Sequence, residues 1–281
     1  MKSDTLKNQL ADRLGEPVHL NLLSLFVMLF GSYRTKIEFD LISRRPYAFG
    51  VSKAADIFQS FRLSGPLYAL EFGVAGGDGL INMARIAQKI TQSTGVDIRV
   101  VGFDTGEGLP PPRDYRDHPE HYAAGDYPPI DKERLLQKLP RNCSLIYGDI
   151  AQTVGEFLER LNGTTGFVSV DVDYYWSAKE ALRVLSAQDP TKYMPLVPIY
   201  FDDVLQETMN SYCGERLTIH EFNQAHPMRK IEPYTAFGQK RIFKNAPFIQ
   251  QMYSLHVFDH PARSVAGQNV REAKVLANRY L

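Results

Sequence analysis

The sequence predicts an α/β fold, because strand-like and helix-like segments alternate along the chain from about residue 65 onward. Short apolar runs begin near residues 67, 97, 144, 166 and 196, and each ends at an acidic residue. Helical patterns follow several of them, as is typical of a doubly wound, largely parallel sheet. Glycines after the first run place a strand, a tight turn and a helix in direct succession.

The first strand is expected at Leu67–Phe72, and its helix begins at Asp78 with apolar residues spaced near 3.6. The remaining strands are predicted at 97–103, 144–147, 166–170 and 196–201, and the later helices at 153–161, 178–185 and 216–225. Segments 228–234 and 250–260 have no long helix between them. They are therefore expected to pair antiparallel at the C-terminal edge of the sheet.

The chain of 281 residues is divided into an N-terminal helical extension, 1–64, and an α/β domain, 65–281. In the extension, residues 2–13 and 33–45 are expected to be helical. Ser52 is expected to cap a further helix over 52–61, which Ser64-Gly65-Pro66 ends.

The run Leu20–Phe30 is apolar, but it is short of the ~20 residues that a membrane span needs. It predicts a helix that is either buried or in contact with another subunit, so we expect a homo-oligomer formed through the N-terminal helices. The net charge is zero, which argues against nucleic acid or a membrane as partner. Two cysteines and no signal peptide favour a cytoplasmic location.

Residues 105–142 interrupt the alternation with seven prolines and several aromatic residues, among them Tyr115, Tyr122 and Tyr127. A connection this long in a compact domain is usually functional or disordered. We interpret it as a lid over the C-terminal edge of the sheet, and the alternative is a solvated surface excursion.

The glycine turn, 73–79, would let the backbone approach a ligand closely. The helix that follows offers unpaired N–H groups at its positive end. The turn therefore predicts a nucleotide-type cofactor, although an ordinary glycine-rich connection gives the same pattern.

Acidic residues end the predicted strands: Glu71, Asp104, Asp149, Asp171 and Asp202. In an open α/β sheet this edge forms the ligand crevice. Some of these acids could instead be helix N-caps, which explains Asp149 or Asp203 but not the whole set.

The positions suggest roles for these acids. Asp104 suits the two ribose hydroxyls, while Asp149 and Ile150 would lie near an adenine ring. Asp171 with the pair Asp202-Asp203 would form an oxygen-rich site suited to Mg²⁺. Asp173 could replace Asp171 as the ligand, and the alternation of side chains along a strand does not choose between them.

Four motifs occur in the same order as in a known family. Glu71-x-Gly73-x-Ala75-x-Gly77 resembles the first motif of class I S-adenosylmethionine-dependent methyltransferases. Gly102-Phe-Asp-Thr-Gly-Glu-Gly-Leu-Pro110 is similar to the signature of the macrocin and mycinamicin O-methyltransferase family, with Gly106 where phenylalanine is usual. Asp171-x-Asp173-x-x-x-Ser177 and Asp202-Asp203 complete the resemblance, which covers roughly residues 67–205.

The resemblance implies a Rossmann-like sheet and methyl transfer from S-adenosylmethionine to a hydroxyl of a sugar or natural-product intermediate, with Mg²⁺ bound. By motif position, the cofactor would contact Glu71, Gly73, Val74, Ala75, Gly77, Asp78, Asp104, Thr105, Asp149, Ile150 and Asp171. The metal would be held by Asp171 or Asp173 with Asp202 and Asp203.

A general base is still required, and histidine suits proton transfer near neutral pH. The candidates are His118 and His121 in the lid and His226 after the last predicted helix, in addition to Asp171. Two other classes stay open. A nicotinamide-dependent oxidoreductase would have no use for Glu71 or the Asp202-Asp203 pair, and a non-catalytic binding protein would have no need of acids at every strand end.

Overall fold

The structure is a computed structural model that describes residues 12–127, 131–206 and 208–263. Within these residues a seven-stranded sheet has the order β3-β2-β1-β4-β5-β7-β6. Its strands are β1 Leu67–Phe72, β2 Ile98–Asp104, β3 Cys143–Tyr147, β4 Thr164–Val170, β5 Leu196–Phe201, β6 Arg229–Pro233 and β7 Met252–Val257. Neighbours among β1–β5 are parallel, and β7 is antiparallel to β5 and β6. The predicted Rossmann-like sheet with an antiparallel C-terminal edge is thereby confirmed.

Helices cover both faces of the sheet. They are α1 Val18–Phe30, α2 Tyr33–Glu38, α3 Arg45–Ser60, α4 Asp78–Thr94, α5 Lys132–Lys138, α6 Ile150–Arg160, α7 Tyr175–Leu182, α8 Gly214–Ala225 and α9 Thr235–Lys240. On one face, Tyr47 of α3 contacts Phe167 of β4; on the other, Phe157 of α6 contacts Tyr68 of β1. Because both faces are covered, every residue of β1 and β4 is buried.

The predicted start of the third helix was wrong. It begins at Arg45 rather than Ser52, and Arg44 precedes it in the left-handed conformation with φ 53°. Pro46 lies in its first turn, where the fixed φ of proline suits a helix and no intrahelical N–H bond is lost. The helix packs directly on β4 and β5. Residues 2–11 of the first predicted helix lie outside the described residues.

The lid segment contains local structure that the proline-rich sequence did not predict. A 3₁₀ turn spans Tyr115–Asp117, and α5 lies within the predicted lid. Asp131 caps α5 by accepting a hydrogen bond from the Arg134 N–H. Among the described residues, no helix is long and apolar enough to cross a membrane.

Candidate functional site

A cleft of about 230 Å³ opens at the carboxyl ends of the central strands. It lies where the strand order reverses between β1 and β4, the position at which open α/β sheets bind ligands. Its walls come from the glycine turn, the start of α4, the end of β2, the lid and the segment after β4. The lining residues include Glu71, Gly73, Asp104, Tyr127 and Asp171.

The shape of the glycine turn depends on positions without a side chain, of which Gly73 and Gly79 bear directly on the cleft. Gly73 has φ +85°, and a Cβ there would overlap the Asp171 carbonyl oxygen from the neighbouring strand end. At Gly79, a Cβ would overlap the Glu71 carboxylate. The turn therefore brings the strand ends of β1 and β4 together and lets Glu71 approach the first turn of α4.

Asp104 organises the turn from the end of β2. Its Oδ2 accepts hydrogen bonds from the backbone N–H groups of Val74 and Ala75 at 2.8 and 2.9 Å. Its Oδ1 accepts one from the Gly106 N–H at 2.6 Å. A carboxylate has about four acceptor positions, so Asp104 retains capacity to accept a bond from a ligand hydroxyl in the cleft.

Glu71 is a buried acid, 2% exposed, at the inner end of the cleft. Its Oε1 accepts a hydrogen bond from the Tyr47 hydroxyl at 2.7 Å, and its Oε2 is buried without a hydrogen-bond partner among the described residues. Burial raises the pKa of Glu71 to about 7, against the lowering effects of the Tyr47 hydrogen bond and the Arg44 charge. Near neutral pH this carboxyl is balanced between its two protonation states.

A second set of acids converges on the far side of the cleft, and we call it the acidic cluster: Asp171, Asp173, Asp202, Asp203 and Glu215. Burial, followed by the charges of neighbouring acids, raises the pKa of Asp173 to about 7. Burial and the Asp202 charge raise that of Asp203 to about 6. The pKa of Asp171 and that of Glu215 rise well above their usual range for the same reasons. Negative charge concentrated in this way favours the binding of a proton or of a cation by the cluster.

The lid is joined to the acidic cluster through Tyr122. Its hydroxyl donates a hydrogen bond to Asp203 Oδ1 at 2.9 Å and accepts one from Gln206 Nε2 at 2.5 Å. A second contact is made by Asp117, which is fully buried and accepts hydrogen bonds from the backbone N–H groups of Arg113 and Trp176. These hydrogen bonds tie the lid segment to the acidic cluster and to the start of α7.

The donor chemistry of the acidic cluster fits a hard cation such as Mg²⁺. Asp203 Oδ2 and Glu215 Oε1 are buried oxygens that have no hydrogen-bond partner in the part of the chain that the structure describes. However, Asp203 Oδ1 is bonded to Tyr122 and Asp202 Oδ1 accepts from the Tyr200 hydroxyl. Across the described part of the chain, no group of three or more His, Cys, Asp or Glu side chains is arranged to hold a metal ion.

Most of the predicted cofactor residues meet in the cleft. Glu71, Gly73, Val74, Ala75, Asp78, Asp104, Thr105, Ile150 and Asp171 all line it, as does Asp173. Gly77 and Asp149 are not among the lining residues. The Asp149 carboxylate accepts a hydrogen bond from the Ala151 N–H and caps α6, the structural role that the sequence had left open.

The predicted histidines are not brought to the cleft. His118 is buried, with Nδ1 3.0 Å from Glu120 Oε1 and Nε2 lacking a partner. His121 contacts Thr208 through Nε2. His226 lies at the C-terminal end of α8, in a separate groove with Lys179 and Glu221. None of the three lines the cleft.

Three residues of the site were missed. Arg44 lines the cleft, Tyr47 bonds Glu71, and Glu215 accepts a hydrogen bond from the Asp203 N–H at 3.0 Å. The Arg44-Arg45-Pro46 sequence could have located the start of α3, because proline is favoured in the first turn of a helix. No local pattern indicated that α3 would face the glycine turn.

No protein-family model and no curated protein sequence matches this chain. Solved structures resemble it at low identity. The calicheamicin methyltransferase CalS11 is 21% identical with TM-score 0.47, over 62% of this chain and 69% of that chain. An O-methyltransferase from Bacillus cereus in complex with SAH is 14% identical with TM-score 0.42, over 89% and 96%. TomG, an O-methyltransferase from Streptomyces achromogenes in complex with SAM, is 14% identical with TM-score 0.34, over 73% and 87%.

These likenesses are too distant to assign an activity to the chain. The fold is established independently by the order and direction of the strands. Any assignment of chemistry therefore depends on the residues of the cleft itself.

Proposed function

We propose that this protein is an S-adenosylmethionine-dependent O-methyltransferase that acts on a hydroxyl of a small molecule, such as a sugar or a natural-product intermediate. When bound, the cofactor supplies a methyl group on a positively charged sulfur to an oxygen nucleophile. The residues of the chain have to hold that cofactor, align the acceptor oxygen and remove its proton.

The observation that carries the proposal is the unsatisfied carboxylate of Glu71 at the inner end of the cleft. Burying an ionised carboxylate that has an unpaired oxygen costs free energy. A cationic group on a ligand offsets this cost by pairing with that oxygen. The ammonium group of the methionine part of the cofactor supplies such a charge. A reduced nicotinamide cofactor carries no cationic group, and the ring cation of the oxidised form has no ammonium N–H to donate to Glu71 Oε2.

Asp104 supports the same assignment from the other end of the cleft. It fixes the turn by three backbone hydrogen bonds and retains acceptor positions for ribose hydroxyls. Ile150 also lines the cleft and offers an apolar contact for an adenine ring.

The acceptor side is formed by the lid and the acidic cluster. Leu109, Pro110 and Tyr127 of the lid line the cleft opposite Asp171 and Asp173. Asp173 has a pKa of about 7, which is the range that suits a general base at neutral pH. We therefore propose Asp171 or Asp173, rather than a histidine, as the group that accepts the hydroxyl proton.

The proposal extends to Mg²⁺, which would be held by Asp202 and Asp203 with whichever of Asp171 and Asp173 does not accept the hydroxyl proton. Bound there, the ion would lower the pKa of an acceptor hydroxyl and orient its oxygen. What supports this is the concentration of buried acids with raised pKa values; a preformed group of three ligands is lacking among the described residues.

Calorimetric titration tests the cofactor assignment directly. We expect SAH to bind the wild-type protein and NADH not to bind, and Glu71→Gln to weaken SAH binding at least tenfold at about pH 8, where Glu71 is ionised. The matched control is Glu159→Gln, an exposed acid on α6, which should leave affinity unchanged. Binding of NADH in place of SAH would reject the proposal.

Turnover separates an enzyme from a binding protein. Transfer of labelled methyl groups from the cofactor to a panel of sugar-containing and diol-containing acceptors should be detected by mass spectrometry. Activity that survives exhaustive EDTA treatment would remove Mg²⁺ from the proposal and leave the methyl transfer intact. Cofactor binding with no methylated product from any acceptor would favour the non-catalytic class.

A further inference from the structure

Helix α1 presents an apolar surface to solvent. Eight of its large apolar side chains are between 46% and 74% exposed, and we call them the α1 apolar face: Val18, Leu22, Leu23, Leu25, Phe26, Met28, Leu29 and Phe30. Leu14, just before the helix, is 88% exposed. The sequence left open whether this run is buried or forms a subunit contact, and the described residues do not bury it.

The polarity of α1 is inverted relative to an ordinary surface helix, which turns its apolar side toward the core. Here two of its three polar side chains, Asn21 and Ser24, face the protein, while the third, His19, is exposed. Ser24 is 3% exposed and accepts a hydrogen bond from Arg13 Nη1 at 2.9 Å, and Asn21 Nδ2 donates to the Arg13 carbonyl at 3.1 Å. Single exposed apolar residues need no explanation, but a helix with its polar side inward does.

The helix is also held firmly to the body of the protein. Val27 packs with Phe39 and Phe243. Just before the helix, Glu16 Oε1 accepts hydrogen bonds from the backbone N–H groups of Lys244 and Asn245 at 2.6 and 2.8 Å. The apolar face is therefore displayed on a fixed support.

We propose that the α1 apolar face is a self-association surface, which pairs with the same face of a second copy of the chain in a two-fold contact. The helix contains no Asp, Glu, Lys or Arg, so identical faces meet without charge repulsion. A membrane-surface helix would be rich in Lys and Arg on its polar face, and this helix contains neither residue.

The area of the face is sufficient for such a contact. At roughly 100 Å² for each exposed side chain, it offers on the order of 800 Å², above the few hundred Å² of a typical monomer patch. This is close to the ~800 Å² that each partner buries in a standard interface.

Sedimentation equilibrium across a concentration series tests the proposal on the full chain. We expect wild-type protein to reach at least twice the chain mass of 31.9 kDa. Leu29→Glu should weaken the association at least tenfold, because it places a charge in the contact. Leu136→Glu makes the same change at a leucine on α5 that is 47% exposed, and it should behave as wild type.

A second measurement needs no variant. Hydrogen–deuterium exchange of the amides of 18–30 should slow as wild-type concentration rises, while exchange in α5 stays constant. A wild-type protein that is monomeric throughout, or equal effects of the two Glu variants, would overturn the proposal. Co-sedimentation of monomeric protein with phosphatidylcholine vesicles would assign the face to a membrane surface instead.

Discussion

Replacing Glu71 by Gln isolates the free-energy cost of an ionised carboxylate buried in the glycine turn. Glu71 is 2% exposed, and burial raises its pKa from 4.5 to about 7. The folded chain binds the Glu71 proton more tightly than the unfolded chain does. The protonated carboxyl therefore makes its full contribution to the free energy of unfolding below the pKa of Glu71 in the unfolded chain. This contribution is lost as the pH rises through the folded pKa. At about 1.4 kcal/mol per pKa unit, the loss reaches roughly 3 kcal/mol by about pH 8.

Urea unfolding without cofactor measures this effect. The free energy of unfolding of Glu71→Gln minus that of wild type should rise by roughly 3 kcal/mol between about pH 4.5 and about pH 8. The glutamine still accepts the Tyr47 hydrogen bond, and any fixed cost of its buried NH₂ group cancels because only the change with pH is compared. Glu159→Gln, on the exposed side of α6, should show no such rise. A difference that stays constant with pH for Glu71→Gln would refute the raised pKa and the reasoning built on it.

Three further outcomes are expected. Gly73→Ala should lower the free energy of unfolding by about 1–3 kcal/mol more than Gly65→Ala does, measured by thermal denaturation. Both glycines have positive φ, but only at Gly73 would the added Cβ overlap a backbone carbonyl oxygen, that of Asp171. Asp104→Asn should weaken SAH binding at least tenfold, measured by calorimetry. Asp149→Asn keeps a residue that can cap the helix, so it should change SAH affinity less than about twofold. Equal losses of affinity in the two variants would place Asp149 in the cofactor site. Tyr122→Phe removes the hydrogen bond from the lid to the acidic cluster, so limited proteolysis should cut the lid severalfold faster, and an unchanged rate would show that the bond does not hold it.

The sequence alone determined the sheet and the main wall of the cleft. Period-two and period-3.6 patterns are local, so they located all seven strands and the helix after the glycine turn to within a few residues. Because the carboxyl ends of parallel strands meet at one edge of the sheet, the same patterns also place Glu71, Asp104 and Asp171 together.

Only the tertiary structure decided which groups complete the site and which stay apart from it. Tyr47 and Arg44 reach Glu71 because α3 packs across β4 and β5, a long-range contact without a local pattern. The predicted histidines stay outside the cleft because of the path of the lid and the length of α8. The burial of the run 20–30 has the same non-local origin. The sequence showed only that the run is apolar, whereas the packing of Ser24 and Val27 against the body decided that most of its large apolar side chains face outward.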